Sequence, residues 1–201
     1  MKRSIDIIIA LFALIILSPI FLLVCFKVKK YLGSPIFFYQ ERPGQDGKLF
    51  KMIKFRSMKD AFDQQGNPLP DEKRITPFGQ KLRSTSLDEM PQLINVLKGD
   101  MSIVGPRPQM KEFMEHYTPE QMRRHEVRPG MTGLAQVSGR NNLSWEEKFE
   151  LDVRYVDNHN IWLDFKIMFK TLFVMMKRDG INAPDQTVGA ARFSRQKTSK
   201  N

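Results

Sequence analysis

The 201-residue sequence predicts a mainly helical α+β protein whose N-terminal segment enters a membrane. Three observations predict it. Residues 7–26, "IIIALFALIILSPIFLLVCF", run for 20 positions without a charge. Residues 36–56, "IFFYQERPGQDGKLFKMIKFR", read as two short strands around a glycine-rich turn. From residue 88 onward, helical stretches with start and stop signals alternate with turn-rich segments.

The apolar tract comes first. As one helix it would reach about 30 Å, the thickness of a bilayer core. No small-residue cleavage site follows it; Lys27, Lys29 and Lys30 do, which marks an anchor rather than a removable leader. Ser18-Pro19 lies inside the tract, where proline removes an intrahelical hydrogen bond and favours a kink. Basic residues flank both ends, so the positive-inside rule draws both to the cytoplasm. Split at Pro19, the arms would span roughly 16 and 12 Å, one leaflet each. A spanning helix and a re-entrant hairpin broken at Ser18 and Pro19 both satisfy the residues taken alone.

Residues 60–77 are polar with scattered prolines and read as a loop. Residues 88–98 read as a helix with Leu93, Ile94, Val96 and Leu97 as its apolar side and Gly99 as its stop. "GDMSIVGPRP" is a strand-like run broken by Gly105 and two prolines, and 112–125 is a charged helical stretch. "VRPGMTGLAQVSGRN" is turn-rich with little helical pattern. Ser144 and Glu147 form a capping box that opens a helix through "EEKFELDVRYV". The last apolar helix, 161–176, suits either a core or a membrane interface, and Trp162 with its Phe and Met content favours the interface. From residue 183 the chain is polar and basic.

A net charge of +10 suits partners that carry phosphate, whether nucleotides, anionic lipids or nucleic acid. The aromatic residues are mostly Phe in apolar runs rather than interleaved with Arg, which disfavours nucleic acid. One cysteine, Cys25, excludes an intramolecular disulfide, and three scattered histidines give no zinc spacing. The chain has no P-loop, GxGxxG or Ser-His-Asp pattern.

The chemistry gathers at "SLDEMP", residues 86–91. Ser86 and Glu89 match a capping box; alternatively Asp88 is the cap and Pro91 falls in the first turn, where amides lack partners anyway. Adjacent residues on a helix point about 100° apart, so Asp88 and Glu89 suit two separate tasks rather than a shared proton. A carboxylate at such a helix start can bind a divalent cation or attack phosphorus. Lys54 and Arg56 in "KFRSM", Arg83 ahead of the acids, and Arg107 between two prolines in "GPRP" are candidate phosphate ligands, since guanidinium forks match phosphate oxygens.

Nearly the whole chain resembles the bacterial sugar transferases, the small monotopic phosphoglycosyltransferases. The resemblance rests on the Ser-Pro-containing tract, "FYQERPGQDGKLFKMIKFRSM", "RSTSLDEMPQLINVLKGDMSIVGPRP", "RPGMTGLAQVSGRN" and "FELDVRYV", in that order. It implies transfer of a sugar-1-phosphate from a UDP-sugar to undecaprenyl phosphate, with release of UMP and with Mg2+ as cofactor. It implies Asp88 as the nucleophile that forms a covalent phosphosugar intermediate, with Glu89 at the metal and acceptor-phosphate site. Asp88 and Glu89 would hold the metal; Lys54, Arg56, Arg83, Arg107 and Arg140 would bind substrate phosphate. It favours the re-entrant hairpin, giving residues 1–30 as membrane hairpin, 31–182 as catalytic domain with interfacial helices, and 183–201 as a basic tail. The implied location is the cytoplasmic face of a bacterial inner membrane, in contact with its lipids and not with nucleic acid.

Overall fold

The structure, a computed structural model, describes residues 1–139 and 143–177. The expected tail at 183–201 therefore lies outside the described residues. The helices are α1 (Lys2–Leu32), α2 (Asp71–Arg74), α3 (Pro77–Ser84), α4 (Gln92–Lys98), α5 (Pro119–Met122), α6 (Leu134–Ser138), α7 (Trp145–Asn158) and α8 (Ile161–Lys177). The strands are β1 (Phe37–Pro43), β2 (Leu49–Phe55), β3 (Ser102–Val104) and β4 (Gly130–Thr132). Helix outweighs strand, as the sequence predicts. The chain forms two compact units: one of Met1–Arg3, Glu41–Phe50 and the residues from Gly99 onward, the other of Ser4–Gln40 and Lys51–Lys98.

The second unit is built on α1. This helix is long and apolar enough to cross a membrane, by length and composition. It has 31 residues, about 46 Å if straight. Pro19 lies inside it, so the two separate helices expected on either side of Ser18-Pro19 are one helix in the secondary structure. The physical reason is local. Pro19 has no N–H to give the Ile15 carbonyl four residues back, and the Ser18 hydroxyl donates to that carbonyl at 2.7 Å instead. Most of the middle of α1 is exposed, including Ile8, Phe12, Ile15, Ile16 and Leu22. Its C-terminal part is not: Val24, Val28 and Leu32 recur every four residues and pack with Phe55, Leu82 and Met90. Phe21 and Phe37 flank Phe55 with ring centroids 4.9 and 5.5 Å away.

β1 and β2 pair directly, and a connection as short as theirs joins them as a hairpin. At its turn the Gly44 N–H donates to the Lys48 carbonyl at 2.8 Å. The polar stretch expected as a loop at 60–77 is irregular only as far as Pro70; the short helix α2 follows at Asp71–Arg74 and α3 begins at Pro77, with isolated bridges between Met58 and Ile75 and between Phe62 and Pro68.

In the first unit β3 and β4 pair in parallel, Ser102 opposite Gly130 and Val104 opposite Thr132. The segment "RPGMTGLAQVSG" therefore contains a strand and a short helix where the sequence predicts turns. Backbones meet closely here: a Cβ on Gly130 would sit 2.1 Å from the Gly105 nitrogen. The charged stretch 112–125 is likewise not one helix but 3-10 turns at Lys111–His116 and Arg123–His125 around α5, whose first residue is Pro119. α7 opens on the expected capping box, with Glu147 N–H donating to Ser144 Oγ at 3.1 Å and Ser144 N–H to Glu147 Oε2 at 2.7 Å. α8 packs Ile167, with Leu163 and Met168, against Val104 and Tyr155.

Candidate active site

The segment "SLDEMP" does not begin a regular helix. Ser86 takes left-handed backbone angles, φ 55° and ψ 14°, and its side chain caps nothing. Leu87–Glu89 then form a single 3-10 turn, closed by Glu89 N–H to Ser86 O at 3.2 Å and Met90 N–H to Leu87 O at 3.3 Å. α4 starts only after Pro91. The cap expected at Ser86 is thus corrected, and Asp88 lies inside the 3-10 turn rather than directly before α4. Pro91 offers no N–H, and the tight turn ahead of it asks for none. The outcome is a buried Asp88 on a sharply folded turn with Glu89 beside it.

β2 runs toward the site and is held by α4. Asn95, wholly enclosed, accepts from Ile53 N–H at 2.9 Å and donates to the Lys51 carbonyl at 2.8 Å. This amide takes the place of a neighbouring strand along β2. The next residue, Lys54, reaches Glu89, Nζ to Oε1 at 2.9 Å. The ion pair is largely sheltered from solvent, which strengthens it over an exposed one.

α3 delivers Arg83. Gly79 lies one turn earlier on the same face, against the Ser57 backbone; a Cβ there would lie 1.9 Å from the Ser57 carbonyl oxygen. That close approach lets Arg83 Nε donate to Ser57 Oγ at 3.0 Å. Arg56 is buried and faces the end of α1. Its Nη1 donates to the Ser34 carbonyl at 3.0 Å and pairs with Asp60 at 2.9 Å, while Nη2 donates to the Leu32 carbonyl. It satisfies carbonyls that a helix leaves open at its C-terminus.

Within this unit the fold brings Lys54, Arg56, Arg83, Asp88 and Glu89 onto the end of β2, the end of α3 and one 3-10 turn. Asp88 and Glu89 offer hard oxygen donors. They fit Mg2+, which takes one or two carboxylates and fills its remaining positions with waters and substrate phosphate oxygens. Among the described residues no group of three or more His, Cys, Asp or Glu gathers that could hold a metal.

Arg107 belongs to the other unit. In residues 104–108 it alone is not buried. Arg140 lies outside the described residues. That unit also holds an interior cluster that the sequence reading missed. Arg124 pairs with Asp152 at 2.7 Å, and His125 Nδ1 lies 3.1 Å from the Gly44 carbonyl, to which it donates. Burial holds His125 down to about 4, and the Arg124 charge acts in the same direction. Burial raises Asp152 to about 6, against the pull of Arg124. A signal for this cluster was present: Asp152 sits on the same α7 face as Phe149, Val153 and Val156. An acid on an apolar stripe calls for a buried partner. Nothing local foretold Asn95, whose partners lie more than 40 residues away.

Comparison with known proteins agrees with this arrangement of motifs. The family model described as bacterial sugar transferase matches residues 1–178. An uncharacterized sugar transferase, EpsL, of Bacillus subtilis (strain 168) is 50% identical over 194 residues, covering 96% of each chain. The undecaprenyl-phosphate galactose phosphotransferase of Salmonella typhimurium is 41% identical over 197 residues, 90% of this chain and 41% of its own. The UDP-glucose:undecaprenyl-phosphate glucose-1-phosphate transferase of Klebsiella pneumoniae is 43% identical over 182 residues, 86% of this chain and 39% of its own. The chain thus spans nearly all of the Bacillus protein and about two fifths of the other two. With the match running through the apolar tract, the Asp-Glu turn and the "GPRP" segment alike, the chain belongs to the bacterial sugar transferase family.

Proposed function

We propose that this protein transfers a sugar-1-phosphate from a UDP-sugar to undecaprenyl phosphate and releases UMP. The observation that carries the reading is the buried Asp88 on its 3-10 turn, beside a Glu89 already paired with Lys54. The names of the Salmonella and Klebsiella relatives support the substrate classes.

In the proposed mechanism an Asp88 oxygen attacks the phosphorus that bears the sugar. The bond from that phosphorus to the bridging oxygen breaks, UMP leaves, and an aspartyl phosphosugar forms. A phosphate oxygen of the lipid then attacks the same phosphorus. The Asp88 bond breaks, freeing the carboxylate, and the sugar leaves on a polyprenyl diphosphate. Attack by a carboxylate on an anionic diphosphate is opposed by charge. Mg2+, held by Asp88, Glu89 and the substrate, would supply neutralising charge. Lys54 keeps Glu89 oriented and Arg83 binds phosphate oxygens; Arg107 and Arg140, which belong to the rest of the chain, are proposed as phosphate ligands on the family resemblance. Arg56 contributes by holding the end of α1 to the loop after β2.

The acceptor lives in a bilayer, and the reading places the enzyme on the cytoplasmic face of the bacterial inner membrane. α1 would enter and leave on that one side. The basic residues at both ends of the tract, Lys2 and Arg3 before it and Lys27, Lys29 and Lys30 after it, support this, and each end packs within its own unit. Lys2 pairs with Asp164 at 2.6 Å and donates to the Val104 carbonyl at 3.0 Å. Val24, Val28 and Leu32 lie in the core around Phe55. α8 would lie at the interface on Trp162, Phe165, Phe169, Leu172 and Phe173, all exposed.

The test uses the full chain in detergent, undecaprenyl phosphate, and UDP-galactose and UDP-glucose in parallel, reading UMP. Asp88→Asn should abolish UMP release, and wild type without acceptor should gain one phosphosugar in intact mass. Substantial turnover by Asp88→Asn would overturn the nucleophile. Labelling of cysteines placed at positions 2 and 29 from the periplasmic side would overturn the topology.

A further inference from the structure

We propose that Arg124 is a positioning residue, which fixes the backbone of Arg107 so that its side chain meets a diphosphate already in place. The inference rests on the proposed reading of Arg107 as a phosphate ligand.

Arg124 is only 2% exposed. Its Nη2 donates to the Arg107 carbonyl and to Asp152 Oδ2, both at 2.7 Å, and its Nη1 donates to the Tyr117 hydroxyl at 2.9 Å. Two rings lie against the guanidinium, with centroids 5.7 Å away at Tyr117 and 5.3 Å at Phe149, and the rings meet each other edge-on at 5.0 Å. A buried ion pair is a poor way to gain stability, because well-packed apolar residues of the same volume often do better. What an apolar filling could not do is hold the Arg107 carbonyl. The guanidinium fork can, since it offers donors to an acid, a hydroxyl and a main-chain carbonyl at once.

The rest of the turn is fixed too. Gly105 N–H donates to the Thr132 carbonyl at 2.9 Å, and Gly130 N–H donates to the Pro106 carbonyl at 3.0 Å. Pro106 and Pro108 fix φ on either side of Arg107. With Arg124 on the next carbonyl, the backbone on which Arg107 stands has little freedom left to lose on binding. That preorganisation lowers the entropic cost of holding phosphate. Asp152 and Tyr117 serve the same end by orienting Arg124.

A double-mutant cycle on the full chain in detergent tests this, with UDP as probe and its Kd measured by calorimetry in magnesium-containing buffer. Arg107→Ala should weaken UDP by about tenfold or more, the loss of a charge-assisted contact. Arg124→Lys should weaken it by about tenfold in the native background and by less than about twofold in the Arg107→Ala background, as coupled residues do. Tyr117→Phe removes only a hydroxyl and should show the same pattern at about threefold; it decides the matter should Arg124→Lys not fold. Additive losses in both cycles, or unchanged UDP affinity in both Arg124→Lys and Tyr117→Phe, would overturn the proposal while leaving Arg107 as a ligand. Full UDP affinity in Arg107→Ala would overturn both the reading of Arg107 and this proposal.

Discussion

Replacing Asn95 with alanine should unfold the β2 side of the candidate site before anything else. The side chain is 0% exposed and makes two main-chain hydrogen bonds, to Ile53 N–H at 2.9 Å and to the Lys51 carbonyl at 2.8 Å. Truncation leaves the Ile53 N–H buried without a partner, a loss of about 1–3 kcal/mol. Lys51 is exposed, so water can reach its carbonyl and that bond is lost at only about 0.5–1 kcal/mol. A small hole adds roughly 0.5–1 kcal/mol. The sum is about 3 kcal/mol, or a fall in Tm of roughly 6–12 °C for a chain of this size. Asn95→Asp should do no better, since it faces the Lys51 carbonyl with an oxygen and buries a charge. Thermal unfolding followed by circular dichroism in detergent measures the shift. The loss of UMP release should exceed what the unfolded fraction accounts for, because Lys54 follows Ile53 directly and its hold on Glu89 loosens with β2. A Tm within 2 °C of wild type for Asn95→Ala would refute the argument that a side-chain amide stands in for a strand.

Three further outcomes follow from other parts of the structure. Gly79→Ala puts a Cβ 1.9 Å from the Ser57 carbonyl oxygen, so α3 must shift; it should destabilise by at least about 1–3 kcal/mol and weaken UDP binding through Arg83, and a normal Tm would refute the close approach. Ser144→Ala removes the side-chain half of the α7 capping box and should lower stability by about 1 kcal/mol without changing kcat, read by denaturation and UMP release. As pH falls from 6 to 4, the unfolded chain protonates His125 and the folded one does not, which lowers stability; the folded chain protonates Asp152 and the unfolded one does not, which raises it. His125→Phe removes the first slope, so its stability relative to wild type should climb by about 1.4 kcal/mol per pH unit on acidification through that window, and a constant difference would refute the assignment.

Two local patterns carry straight through to the fold. The Ser144 box needs only two residues three apart, and α7 begins there. Gly99 follows α4 with φ +98°, as a helix stop should. β3 and β4 are different. Each has three residues, too few to show a period, and they find each other across residues 102 and 130. What specifies them is the absence of a Cβ at Gly105 and Gly130, and the residue within reach of each glycine is not written beside it. Arg56 makes the same point about chemistry. Its place in "KFRSM" suggests phosphate, yet its Nη1 and Nη2 donate to carbonyls at and just past the end of a helix more than 20 residues earlier.

"SLDEMP" combines both cases. The pair of acids is legible from composition alone, and so is the difficulty of placing Pro91 inside a helix. The solution is not, because it uses a left-handed serine, a backbone state that a non-glycine residue takes at a cost of about 1–2 kcal/mol. An ordinary helix start at Ser86 would have avoided that cost but put Pro91 past the first turn, where proline costs about 3 kcal/mol. It would also have extended α4 backward and set Asp88 and Glu89 about 100° apart around one axis. The tight turn instead buries Asp88 while Glu89 meets Lys54. Strain of this kind persists only where the surroundings over-determine it. Here they do: α3 is locked to Ser57 on one side and α4 is locked to β2 through Asn95 on the other, so the few residues between them have one way to close.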